Sequence, residues 1–453
     1  MIGLIAIFHV MISHFAVGGG LYLVVTEAKA RREGRTDWLR LLRAHSKFFL
    51  VLTGVFGAVT GVGIWFAIGL ANPEATSALI HNFVFGWAIE WVFFMVELTC
   101  AAVYYYTWDR VPAQTHLKVG WVYAVASLLT LVIINGILTF MLTPGDTWLS
   151  VAGTGHEASK FWNAFFNPLY WPSLFIRVCV CVSLAGVWAM VTCSRIDGAK
   201  DATLKQTIVR WSALWVIPSF VGFPVFFAWF LWRVPEAQRQ LLELGVSTIG
   251  PGVFTPLTRT VLIIPLASLS VVGFIYLFAW RDPRRLEFSH ALCVVLLALF
   301  ATASGEYARE LLRKPYVIGQ YMYSNGVRQS RIAEYNEQGY LAGSLWTRTI
   351  SSNASPKEVS LAMGEAMFRG QCGSCHTRDA YRSMKQLLSE RNREAIGSML
   401  TILHTYPNTN SPYAKFMPPV VGKPEEVQAL GDYLDNVAHG TNATFKTVAA
   451  ARP

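Results

Sequence analysis

Charge is scarce in this chain. Asp, Glu, Lys and Arg make up 15% of its residues against 53% hydrophobic ones, where a soluble domain carries about 25% charged. With a mean hydropathy of +0.38, that deficit excludes an ordinary soluble protein and points to one that crosses a membrane several times. Cysteine is sparse as well, at 7 in 453 residues. Cys100, Cys179, Cys181, Cys193 and Cys293 lie in or beside apolar runs, read as small buried hydrophobes, and exclude a disulfide framework. No basic stretch precedes the first apolar run and no small-residue cleavage site comes after it, so that run is expected to remain as a span.

The charge that is present has a pattern. Apolar runs at about 2–26, 46–72, 82–107, 117–142, 166–193, 208–232, 258–280 and 288–304 are each long enough to cross roughly 30 Å of hydrocarbon. They predict an all-α, eight-span transmembrane bundle. Lys29, Arg31, Arg32, Arg35, Arg40 and Arg43 crowd the first loop, Arg110 and Lys118 flank the third, Arg195, Lys200 and Lys205 fill the fifth, and Arg281, Arg284 and Arg285 the seventh. The even loops are poor: Ala71 to Asn82 has no Lys or Arg, 143–165 only Lys160, and 233–257 only Arg233 and Arg239. Cationic loops stay in the cytoplasm, so both termini are expected outside. The net charge of +10 therefore sets topology. It points to membrane lipid as a partner, not nucleic acid.

Against this background the third run stands out, because Glu90 and Glu97 interrupt it. Seven residues apart, they lie about two turns, roughly 10 Å, apart on nearly one helix face. Carboxylates in lipid are costly unless partnered, and commonly mark proton routes or cofactor ligands; neutralised packing residues are the plainer alternative. His9 and His14 occupy the first run. A lone buried His is commonly a hydrogen-bonded structural residue, but beside two buried acids His9 reads as a candidate haem-iron ligand. Gly18-Gly19-Gly20 and Gly54, Gly57, Gly61 and Gly63 would admit either a neighbouring backbone or a flat ligand. After the eighth run, Glu306, Arg309, Glu310 and Arg313 recur at three- and four-residue spacing before Pro315. They extend the helix, with Glu310 either a metal ligand or an ion-pair partner of Arg313.

Residues 317–356 are polar, with Gly, Asn and Ser clusters, and read as a linker. Beyond them lies the strongest motif, Cys372-Gly-Ser-Cys375-His376. Two thiols at this spacing can add to the vinyl groups of haem, and the adjacent His376 is placed to ligate the iron. A soft or imidazole donor some tens of residues on would complete the coordination. Met417 in Lys415-Phe-Met-Pro-Pro419 fits, with His404 as its competitor. Amphipathic Ser360 to Gly370, carrying Met363, Met367 and Phe368, and the closing helix around Val427 to Leu434 complete a domain over about 357–440 that resembles class I cytochrome c, with 441–453 as a tail. Haem is attached to this motif outside the cytoplasmic membrane, which agrees with the topology set by the loops.

With those residues in place, 1–316 resembles the large subunit (subunit I) of cytochrome bd oxidases, shortened by its last span. The resemblance rests on Ile-Phe-His9-Val, on Glu90 and Glu97 with Trp108-Asp-Arg110, on Asn135-Gly136, and on Glu310-Leu-Leu-Arg313-Lys-Pro-Tyr316. It implies that His9 and Glu310 ligate two high-spin haems (b and b, or b and d). It also implies that Glu90 and Glu97 serve the haems and a proton path, and that Arg259 lies near a propionate. Two departures matter. Arg177 stands where the family has the His of its low-spin haem b, and Val261 or a neighbour stands where it has the Met, unless His81 or His156 supplies a new ligand. The quinol-binding loop is also cut to about Arg233 to Pro256. Together these imply a bacterial inner-membrane oxidase, its N-terminus and haem c on the periplasmic side. It would take electrons from an external donor such as a cytochrome through haem c bound by Cys372, Cys375, His376 and Met417, reduce O2 to water, and work beside a second multi-span subunit. The alternative is a non-catalytic electron-transfer subunit of a larger respiratory complex.

Overall fold

In hydrocarbon every backbone N–H and C=O must be satisfied within its own segment, so the apolar runs have only the helix available to them. The computed structural model describes residues 2–236, 239, 255–347, 354–405, 413 and 416–440, with backbone alone at 2, 218, 255–258 and 261. Among the described residues, eight helices are long and apolar enough to cross a membrane: Gly3–Arg32, Thr36–Ala71, Val84–Tyr106, Ala113–Leu142, Tyr170–Cys193, Ala202–Arg233, Leu262–Arg281 and Phe288–Arg313. The expected eight-span bundle is present. The second and eighth spans run about a helical turn or more beyond their apolar cores. The shortened loop between the sixth and seventh spans falls largely outside the described residues, as does the side chain of Val261.

The chain forms two compact units, divided between Arg313 and Lys314. In the first, large side chains from several spans, among them Phe15, Tyr22, Leu42, Tyr104, Met190 and Ile208, make one continuous core. The first and fifth spans approach to backbone contact, since a β-carbon at Gly18 would stand 1.8 Å from the carbonyl oxygen of Cys181. A buried polar knot ties the first, third and fourth spans together. The Glu27 carboxylate, fully buried, accepts from the Tyr104 hydroxyl at 2.5 Å and the Arg31 Nε at 2.6 Å, and pairs with His116 Nδ1 at 2.9 Å. The second span is interrupted by a π-helical stretch, Leu52–Gly57, a feature that inserts a residue into a turn and re-aims the side chains of the next one.

The second unit is built on helices Pro356–Met367, Arg393–His404 and Pro424–His439. Ser355 caps the first, its hydroxyl accepting from the Glu358 N–H while Glu358 accepts from the Ser355 N–H. Met367, Phe368, Leu400, Leu430 and Leu434 fill the core, with Met363 partly buried against it. At Gly364 a β-carbon would stand 2.1 Å from the Ala429 carbonyl oxygen. Gly364→Ala must therefore push two helices apart, and the expected cost is about 1–3 kcal/mol of tail stability, read as an earlier thermal transition of this unit.

Residues 317–356 differ from the expected linker, for their described part is folded. Tyr316–Ile318 pairs antiparallel with Met322–Tyr323, Tyr316 stacks on Tyr323 at 4.6 Å, and Tyr323 and Val327 bury against Val421. The Gly and Asn residues that suggest a tether make turns instead: Gly326 and Gly339 have φ of +86° and +96°, and Asn336 accepts from the Gly422 N–H at 3.0 Å.

Candidate functional site

On the first span, His9 Nδ1 lies 3.1 Å from the Thr60 hydroxyl of the second. That hydroxyl donates its one proton to the Phe56 carbonyl at 2.6 Å. Toward the imidazole it can only accept, so Nδ1 carries the proton and the Nε2 lone pair is the free donor, the tautomer an iron ligand needs. Gly61 makes room for the ring, since a β-carbon there would stand 3.1 Å from Cε1. Both Thr60 and Gly61 sit in the turn just after the π-helical stretch, which accounts for their facing the first span.

Glu90 and Glu97 both lie on the third span, Glu90 half-buried and Glu97 buried, each in the other's field. The Tyr123 hydroxyl of the fourth span is 2.9 Å from Glu97 Oε1 and 3.0 Å from the Ala16 carbonyl oxygen. Its single proton is shared between them, which holds Glu97 against the first and fourth spans.

On the last span Glu310 is ion-paired with Arg313, one of the two roles its spacing allowed. One turn back, Glu306 Oε2 accepts from Arg309 Nη2 at 2.8 Å and Nε at 3.1 Å. Arg177 of the fifth span lies in the field of this pair and directs Nη1 at His14 Nε2, 3.4 Å away, while His14 Nδ1 donates to the Val10 carbonyl at 2.7 Å. This group of His14, Arg177, Glu306 and Arg309 was not assembled from sequence. The available signal was a lone arginine in an apolar run, whose partners lie far along the chain. Arg259, the expected propionate arginine, is exposed, as are His81 and His156.

In the tail, Cys372 and Cys375 are free thiols. Burial and the neighbouring Cys375 push the Cys372 thiol up to about 12. The His376 Nδ1 donates to the Arg382 carbonyl at 3.2 Å, which leaves Nε2 for a metal, and burial lowers its pKa. Gln371 reaches across to both backbone groups of Val421, donating to its carbonyl at 2.8 Å and accepting from its N–H at 2.9 Å. This clamp fixes the segment carrying Met417 against the C-x-x-C-H turn. His404 Nδ1 lies 3.1 Å from the Val420 carbonyl oxygen. No cluster of three or more His, Cys, Asp or Glu suited to a metal ion alone occurs among the described residues.

A family model, cytochrome bd terminal oxidase subunit I, matches residues 1–232. The chain belongs to that family. It is therefore part of a respiratory membrane oxidase, an integral membrane oxidoreductase that works with haem. The fold agrees: the chain is similar to a chain of the bd oxidase from Geobacillus thermodenitrificans, with a TM-score of 0.59 at 14% identity, over 70% of this chain and 86% of that one. No curated protein matches it. The second unit lies beyond the residues that the bd family model matches.

The imidazoles fit the family's cofactor. His9 and His376 both commit Nδ1–H to an oxygen and keep Nε2 as a donor, and buried arginine N–H groups of Arg177, Arg309 and Arg313 have no acceptor among the described residues.

Proposed function

We propose that the chain is the haem-bearing subunit of a bd-type oxidase that takes electrons from an external donor, such as a cytochrome, through haem c and reduces O2 to water at a high-spin haem pair, rather than oxidising quinol by the usual route. The observation that carries this reading is the Cys372–Cys375–His376 turn with the His376 Nδ1 proton held by the Arg382 carbonyl. That geometry supports an iron-ligand role for His376, on a chain whose other unit belongs to an oxidase-subunit family.

The haems, when bound, supply the redox centres and the open iron position that O2 requires. The protein's own residues do the rest. Cys372 and Cys375 would anchor haem c covalently, with His376 and Met417 on its iron. His9, fixed in tautomer by Thr60, and Glu310 would each offer one donor to a membrane haem. Glu97, buried and shared with Tyr123, would hold a proton for delivery inward, and Glu90 lies on the same helix face toward the same destination. A second multi-span subunit would complete the complex in a bacterial inner membrane, with the N-terminus and the tail on the periplasmic side.

The test is a reduced spectrum of the purified complex with and without CO, together with O2 consumption driven by a reduced external cytochrome. A CO-reactive membrane haem and turnover that falls about 10²-fold or more in Glu97→Gln, the scale of a lost proton donor, are expected. Only six-coordinate haems and no O2 uptake would overturn the oxidase reading in favour of an electron-transfer subunit.

A further inference from the structure

Charged groups inside a bundle are retained when they pair, and three arginines here do not pair completely. Among the described residues, Arg177, Arg309 and Arg313 lie in the field of two acids, Glu306 and Glu310. The remaining member, His14, is no acid: its Nδ1–H is committed to the Val10 carbonyl, so it meets Arg177 with a lone pair. One positive charge is left over. Three wholly buried N–H groups also find no acceptor among the described residues: Arg177 Nε, Arg309 Nη1 and Arg313 Nε. Buried donors without partners are rare in folded proteins, and unpartnered donors on side chains that share one field point to a missing acceptor. An arginine fork matches the geometry of a carboxylate.

We infer that Arg177 and Arg309, from the fifth and eighth spans, form a carboxylate-anchoring site that holds a propionate of a membrane haem. The inference rests on the reading that the bundle carries haem. It assigns to Arg177 a role different from that of the iron ligand whose position it takes, and it places the propionate anchor here instead of at the exposed Arg259. In this arrangement the propionate supplies the third negative charge. The guanidinium charges in turn favour the ferrous over the ferric haem.

The test compares the full complex with Arg177→Leu, Arg177→Lys and the double variant Glu306→Leu/Arg309→Leu, which removes one acid and one cation together and leaves the net charge unchanged. The readouts are non-covalent haem per polypeptide and the midpoint potential of the membrane haem. Loss of the cation should lower the midpoint by an amount equivalent to a tenfold change in the redox equilibrium, about 59 mV for one electron. Arg177→Lys should hold the potential and release haem to apomyoglobin faster. An unchanged potential and haem content in Arg177→Leu would overturn the inference while leaving the oxidase reading intact. A midpoint that tracks added inorganic phosphate would overturn it in favour of a free anion. A wild-type complex with haem only in its tail would instead overturn the parent reading. Should Arg177→Leu fail to accumulate, Arg177→Lys decides alone: haem release at the wild-type rate refutes the anchor.

Discussion

With Cys372 and Cys375 both replaced by serine, the purified chain should carry no covalently bound haem, and O2 consumption driven by a reduced external cytochrome should fall to background. Haem staining on a denaturing gel checks the first outcome and an oxygen electrode the second. The effect is expected to be complete because the tail offers these two thiols alone, and Gln371 fastens the Met417 segment to the same turn. A variant that kept full turnover would show that electrons enter elsewhere. Acid adds a second reading of the site. In the Cys372→Ser/Cys375→Ser chain, without covalent haem, burial makes the His376 imidazole harder to protonate than it is in the unfolded chain. Below the ordinary imidazole range the unfolded state therefore binds the extra proton and the folded state does not, so this group's contribution to tail stability falls as pH drops.

His9→Ala should remove the CO-reactive signal of the membrane and lower non-covalent haem per polypeptide, while the tail spectrum stays as it was. The argument is local. Thr60 has given its proton to the Phe56 carbonyl and serves the imidazole only as acceptor, and Gly61 leaves the ring its space. Thr60→Val keeps the ring but frees its tautomer, and should weaken haem retention by about 10–100-fold, the usual cost of removing the group that orients a ligand. Added imidazole should restore part of the signal to His9→Ala. An unaltered CO spectrum would remove His9 from the site.

The spans were legible because lipid leaves the backbone no choice but the helix, so an apolar run of sufficient length is already a structure. Their ends were less so. The second span begins at Thr36 rather than near 46 because its first turns are amphipathic: Trp38, Leu42 and His45 are buried while Arg40 and Arg43 remain exposed, and an average over the run cancels the two faces. The eighth continues to Arg313 because its charges pair at three-residue spacing along the helix. His9, the two acids of the third span and the cysteine pair announced themselves as residue types out of place. The partners of Arg177 did not, since His14 and Glu306 lie 163 residues before and 129 residues after it and only the packing of three helices brings them together. The fold of 317–347 was hidden for a related reason: turn-forming Gly and Asn look the same in a loose tether and in a tight strap, and Tyr316, Tyr323 and Tyr340 decide between them only once their neighbours are known.

That strap bears on where the soluble unit can be cut. The buried Glu426 carboxylate accepts from the backbone N–H groups of Tyr340 at 2.8 Å, Leu341 at 2.9 Å and Lys423 at 2.9 Å. A fragment starting at Pro356, where the helices begin, would lose two of these three donors, each worth about 1.5–3 kcal/mol to a charged acceptor, and would expose Val421 as well. A fragment of this unit meant to fold by itself should therefore start near Tyr316, a boundary set by a single acid more than a hundred residues further on.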